Sequence, residues 1–256
     1  NDYTAGNGNI VQADFTRGSF GTELGFKLND KQELRLSATY NRARDADFPA
    51  LAMDLRTDDT RLFNARHEIQ INNESLKSWN TTLFGSFVDH LMDNLLKPLE
   101  PRMLNASNAA KTYNFGGRTE GIWQFEKAKL FAGMDVRIEG AEGTRVRTFL
   151  MGPNTGRVFE DNAWQDSRIS KTGVFGEYQI KGEHFNYVLS GRLELNKASM
   201  DDVADEFSSV YTNLSETQVN PSVSFGLLKT FNNELKAGLW LGRAQRSGSL
   251  TERFIN

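Results

Sequence analysis

The chain has 256 residues, 38% of them hydrophobic and 25% charged, with a net charge of -3 and a mean hydropathy of -0.53. These values are those of an ordinary soluble domain. They offer no basic stripe for nucleic acid, and the absence of cysteine excludes disulfide frameworks, CxxC metal sites and thiol nucleophiles. No apolar run approaches the roughly 20 residues of a spanning helix, so any membrane crossing must be made by strands.

Taken in chain order, segments near 18–29, 33–44, 58–72, 77–91, 112–125, 128–140, 167–181, 184–197, 218–230 and 234–244 alternate apolar and polar residues with a period of two. That period puts one class of side chain on each face of a strand. In the second segment Leu34, Leu36, Ala38 and Tyr40 oppose Arg35, Ser37, Thr39 and Asn41. In the third, Phe63, Ala65, His67, Ile69 and Ile71 oppose Asn64, Arg66, Glu68 and Gln70. In the sixth, Leu130, Ala132, Met134, Val136 and Ile138 oppose Lys129, Phe131, Asp135, Arg137 and Glu139. In the eighth, Leu189, Leu193 and Leu195 oppose Ser190, Arg192 and Glu194. No stretch has a helical period, and no linker or low-complexity block divides the chain, so 1–256 reads as one domain or one piece of one.

The connections alternate in length. Tight turns at Asp30-Lys31-Gln32, Asn73-Glu74-Ser75, Glu126-Lys127, Gly182-Glu183 and Phe231-Asn232-Asn233 separate long loops at about 45–57, 93–111, 141–166 and 198–217. Short turns on one rim and long loops on the other are the pattern of a transmembrane barrel. Aromatic residues on the apolar face form two groups, Phe26, Trp79, Trp123, Phe125 and Phe185 near the turns and Phe20, Tyr40, Phe63, Phe87, Tyr113 and Phe115 near the loops, as girdles at two membrane interfaces would. The charges on the other face suit a wet lumen and not a protein core. The fold expected is an all-β, antiparallel up-and-down transmembrane β-barrel wall of about ten strands.

Five segments carry a family resemblance: FPALAMDLRTDDT (Phe48 to Thr60), SWNTTLFGSFVDHLMDN (Ser78 to Asn94), YNFGGRTEG (Tyr113 to Gly121), DNAWQDSRISKTGVFGEY (Asp161 to Tyr178) and RAQRSGSLTERF (Arg243 to Phe254). In order and spacing they resemble the barrel domain of TonB-dependent outer-membrane receptors, and DHLMDN and ALAMD resemble the copper-receptor branch. The resemblance implies a Gram-negative outer-membrane location, contact with lipid, a 22-stranded barrel, import of a metal ion or metal chelate, and energy supplied by the TonB complex. It implies no resident cofactor and no enzymatic activity. The chain shows no plug domain, no TonB-contacting segment and no closing strand with a terminal aromatic, so it is expected to be part of a larger barrel.

Two candidate ligand sets sit at the loops. Met53, His90 and Met92, joined by Met103 or Met151, offer thioethers and an imidazole, which suit Cu(I) by softness. Arg56, Arg102, Arg145, Arg147 and Trp164 offer the basic and aromatic surface that a ferric chelate would want. Loop methionines, Met200 included, also serve as gap fillers in packed loops. His67 and His184 read as structural, and the acidic pairs Asp45/Asp47, Asp58/Asp59 and Asp201-Asp202 as solvated loop charge. Two competing classes are a complete ten-stranded barrel protease of the omptin type, with His90 and Asp89 activating water, and a passive porin or adhesin.

Overall fold

The structure, a computed structural model, describes residues 2–231 and 235–254. Ten long strands form one sheet: β3 (Thr16–Asn29), β4 (Gln32–Ala46), β5 (Asp54–Gln70), β6 (Leu76–Asp93), β7 (Leu104–Gln124), β8 (Ala128–Phe149), β9 (Val158–Lys181), β10 (Asn186–Met200), β11 (Ser215–Thr230) and β12 (Lys236–Arg243). A two-stranded hairpin, β1 (Tyr3–Thr4) and β2 (Ile10–Val11), precedes them. Every long strand pairs antiparallel with its sequence neighbours, in the order β12 to β3, so the ten expected strands are present as an up-and-down meander. Among the described residues β3 and β12 are the edges and do not pair with each other.

The short turns lie where the sequence puts them. Asn29 Oδ1 accepts the Lys31 amide at 2.9 Å, and Asn73 Oδ1 accepts those of Ser75 and Leu76 at 3.0 and 3.2 Å, so each asparagine closes its turn with its own side chain. The expected turn residues Asn232 and Asn233, and the first position of segment 234–244, lie outside the described residues.

The long loops need correction. Residues 54–57, 104–111, 141–149 and 158–166, expected in loops, are strand; the connections shrink to 47–53, 94–103, 150–157 and 201–214. β9 runs for 24 residues, about 80 Å at ~3.4 Å per residue, against the roughly 10 residues a tilted strand needs to cross a bilayer. The upper halves of β5–β9 therefore stand clear of the apolar band. There, outward side chains no longer need to be apolar, and the alternation that marks a strand by hydrophobicity stops. Two short helices, α1 (Asp205–Val210) and α2 (Leu250–Phe254), were also not foreseen.

Register fixes which side chains share a face. Leu24, Leu36, Ala65, Leu83, Gly117, Val136, Thr172, Leu195 and Val219 form one continuous row, and Arg35, Arg66, Thr82, Arg118, Asp135, Gly173 and Glu194 form a row on the opposite side. Leu34, Leu130, Leu189 and Leu193 lie with the first set; Arg137 and Arg192 lie with the second. The charged side is concave. Arg192 of β10 reaches past β9 to Asp135 of β8 at 2.6 Å, and the Arg118 guanidinium of β7 lies 4.1 Å from the Phe175 ring centre of β9. On the convex side Leu24, Leu83 and Leu189 are 51%, 57% and 54% exposed, which is sensible only where another apolar phase covers them.

The upper girdle is continuous across β5–β7. Phe63 meets Phe87 edge-on and Phe87 stacks on Phe115, both at 6.5 Å between centres. Below, Trp79 and Trp123 pack edge to face at 5.9 Å over Gly121, where a Cβ would fall within 2.5 Å of the Trp123 ring.

Candidate functional site

The upper concave rim gathers most of the chemistry. In register Asp58 of β5 faces His90 of β6, and His90 Nδ1 lies 3.2 Å from Asp58 Oδ2, while Asp58 Oδ1 accepts the Thr60 hydroxyl at 2.8 Å. The carboxylate therefore orients the ring and leaves Nε2 as the outward-facing nitrogen. Met92 lies two residues on, on the same face of β6, and pairs in register with Leu55 and Asn108. A register shift between Leu55 and Thr57 opens the ladder there. Asn108 Oδ1 is buried without a hydrogen-bond partner among the described residues, directly across from Met92.

Met53 ends the loop before Asp54, which pairs in register with Asp93, so it stands at the end of β6, two positions beyond Met92. Met103 and Met151 meet at the tips of β7 and β8, where the Met103 carbonyl accepts the amides of Leu150 and Met151 at 3.0 and 3.3 Å; both side chains are half exposed. Met200 is different. It is buried with Ile169, Ala198 and Phe254, a gap filler beneath α2. Asp58 was not legible as the partner of His90, because Asp89 lies closer in the chain; alternation puts Asp89 on the convex face, in register with Asp59 and Lys111.

The five residues of the chelate set are spread over the same rim and are largely committed. Arg56 is mostly buried, with Nε 2.9 Å from Asp93 and Nη1 3.6 Å from Asp45. Its Nη2 is buried without a hydrogen-bond partner among the described residues. Arg102 donates to the carbonyls of Leu95 and Lys97 at 2.8 and 2.5 Å and to Asn105 Oδ1, pinning loop 94–103. Arg145 and Arg147 both hold Asp161, at 2.7 and 2.8 Å. Trp164 sits opposite Gly143, where the β8–β9 register shifts twice, and lines a hollow of about 340 Å³ with Asp89, Lys111, Glu142 and Asp166.

Two carboxyls in the upper part of these strands titrate in opposite directions. The Arg145 guanidinium, seconded by Arg147, holds Asp161 below the usual carboxylate range. Burial, with Asp201 and Glu142 nearby, pushes Asp166 up. Among the described residues no three His, Cys, Asp or Glu side chains converge, so a metal bound here would have to draw on thioether sulfur as well.

Lower in the concavity a cavity of about 710 Å³ runs across β7–β12, floored by Phe131 and Phe175 and edged by Arg118, Glu177 and Arg192. It is amphipathic and open along the sheet, a place for solvent or another segment.

No family model matches this chain, and no curated protein matches it by sequence. Its fold is similar to a solved structure, that of the copper transporter OprC, with a TM-score of 0.81 and 16% identity over 97% of this chain. The chain spans 40% of that protein's length. At this identity the likeness is one of fold: the ten strands superpose on a stretch of a barrel wall.

Proposed function

We propose that this chain is a ten-stranded part of the wall of a Gram-negative outer-membrane transporter of the TonB-dependent receptor kind, not an enzyme, and that its extracellular rim captures a scarce metal for import. The observation that carries the reading is the two-faced sheet, apolar and unpartnered on its convex side and charged on its concave side, whose fold is similar to that of a copper transporter. Lipid would cover the first face and water the second. The unpaired edges β3 and β12 favour a share in a larger barrel over a closed ten-stranded protease, whose end strands would pair. Coupling to the TonB complex would be made by other parts of the protein.

For the cargo, His90 and Met92 favour a soft ion such as Cu(I). Asp58 would hold the imidazole, and Met53, Met103 and Met151 stand at the same rim. The chelate reading keeps two observations, the Nη2 of Arg56 and the Nε of Arg147, both buried without a hydrogen-bond partner among the described residues, but Arg102, Arg145 and Arg147 already hold the protein's own carbonyls and carboxylates.

The test is Cu(I) titration of the full-length gene product in detergent, against a ferric chelate as alternative ligand. His90→Ala and Met92→Ala should each weaken copper binding about tenfold or more, and Asp58→Asn by a smaller factor through misorientation of the ring. Unchanged copper affinity in both His90→Ala and Met92→Ala would overturn the soft-metal assignment.

A further inference from the structure

On the convex face, where β4 and β5 leave the apolar band, the side chains change from apolar to cationic within one step of the alternation. Below lie Phe20, Leu36, Ala38 and Phe63; Tyr40 marks the girdle; Arg42 and Arg44 follow on β4, and Arg61 stands in register with Tyr40 on β5. The one carboxylate between them is spoken for. Asp59 accepts both oxygens' worth of bonds from Arg44, at 3.0 and 2.7 Å, and a third from the Tyr40 hydroxyl at 2.5 Å. Arg44 is further tied to the Ala43 and Asp58 carbonyls. Arg42 and Arg61 are exposed and make no hydrogen bond or ion pair among the described residues.

These two guanidiniums are diagonal neighbours on adjacent strands, so their stems start about 7 to 8 Å apart, a separation that one phosphate can bridge. Opposite Arg42 on β3 stands Gly18, and a Cβ there would meet nothing within 4 Å, so the flank of Arg42 is open. The charged groups facing the patch are few. Asp89 lies beyond Asp59, in register with it on β6, and is followed by Lys111, itself 3.7 Å from Glu142. Asp89 is likewise a diagonal neighbour of Arg61, so Arg42, Arg44 and Arg61 against Asp59 and Asp89 leave the patch with one net positive charge.

We propose that Arg42 and Arg61 form a binding site for the phosphate of an anionic lipid, whose acyl chains lie over Phe20, Phe63 and Phe87. The height of the site argues for a lipid. The guanidiniums emerge within about 7 Å, two residues of strand, of the girdle ring at Tyr40, the depth at which headgroup phosphates begin. Half-exposed or more exposed aromatic and aliphatic side chains continue directly beneath them. Soluble phosphate would gain nothing from that apolar strip. An arginine pair is also suited to the task, because each fork can bind two phosphate oxygens without losing its charge.

The inference rests on the membrane reading above, though not on the cargo, and the test separates the two. The full-length gene product in neutral detergent is titrated with mixed micelles of phosphatidic acid, of diacylglycerol with the same acyl chains, and with inorganic phosphate, and binding is read by native mass spectrometry. Phosphatidic acid should bind at least about tenfold more tightly than diacylglycerol, and Arg42→Gln with Arg61→Gln should remove that difference. The luminal pair Arg35→Gln with Arg66→Gln, on the same two strands, should leave it intact. Equal binding of the two lipids, an indifferent Arg42→Gln/Arg61→Gln variant, or full competition by millimolar inorganic phosphate would overturn the site. A protein that stays soluble and folded without detergent would overturn the membrane reading instead.

Discussion

The two faces of the sheet share one backbone and differ in what satisfies them. On the convex face, large side chains such as Leu83 and Leu193 stand half exposed with little beside them but their own row. On the concave face, polar side chains find each other across strands, Arg192 with Asp135 and Lys171 with Glu139, and along a strand, Arg192 with Glu194 and Arg118 with Glu120. A globular protein would do the opposite and bury the leucines. The difference is what the proposed wall between two solvents requires, and under that reading stability depends on which solvent meets which face.

The sharpest way to break the comparison is to put the same charge on each face of one strand. Leu83→Arg, at the middle of the convex face of β6, should cost about 2 to 4 kcal/mol in a bilayer, whereas Ser86→Arg, three residues away on the concave face, should cost close to nothing. Reversible unfolding in lipid vesicles measures both; equal costs would mean that the faces are not in different solvents.

A smaller effect sharpens the concave side. Arg192 donates to both oxygens of Asp135 and to Glu194, so Arg192→Leu leaves two carboxylates facing one another. The groups remain partly solvated, and the loss should be about 1 kcal/mol in the same unfolding assay. A loss of several kcal/mol would mean a dry lumen.

The smallest effects belong above the membrane, where two carboxyls should respond to acid with opposite signs. The folded pKa of Asp161 is lowered by Arg145 and Arg147, so its contribution is fully present above the ordinary carboxylate value and is lost as pH falls through the lowered one. Asp166 is raised by burial and by Asp201 and Glu142, so the stability it contributes is present at low pH and is lost as pH rises through the raised value. Hydrogen exchange of the upper β8–β9 ladder should therefore slow at neutral pH in Asp166→Asn and quicken in Asp161→Asn. Asparagine also tolerates the positive φ of 42° found at Asp166.

Much of this was legible in the sequence. The period-two pattern located all ten strands and their facing, because a lipid on one side and water on the other impose alternation residue by residue. It failed at 141–149 and 158–166, where Ala141, Ala163 and Gln165 are buried, Gln165 beneath the 201–214 connection, and pairing is held by backbone hydrogen bonds and by Arg145, Arg147 and Asp161. α2 escaped notice because it is five residues long and is held by Phe254 reaching Ile169 and Met200, a contact between positions far apart in the chain. At the rim, His90 and Met92 were legible as donors, and their facing followed from alternation. Asp58 was not: only the β5–β6 register brings a carboxylate 32 residues away to His90. The commitment of Arg56 and Arg102 to Asp93 and to loop carbonyls was equally invisible, since it depends on how loops 47–53 and 94–103 pack.

The central claim, a wall between lipid and water, can be tested most directly along one strand. The sequence has no cysteine, so single cysteines carrying spin labels can be placed at each position from 188 to 195 of β10 in the full-length gene product reconstituted in bilayers. Relaxation by dissolved oxygen should peak at Leu189, Leu193 and Leu195, and relaxation by a water-soluble nickel chelate at Ser190, Arg192 and Glu194, out of phase with a period of two. Chelate accessibility at Leu189 and Leu193 equal to that at Ser190 and Arg192 would contradict the account.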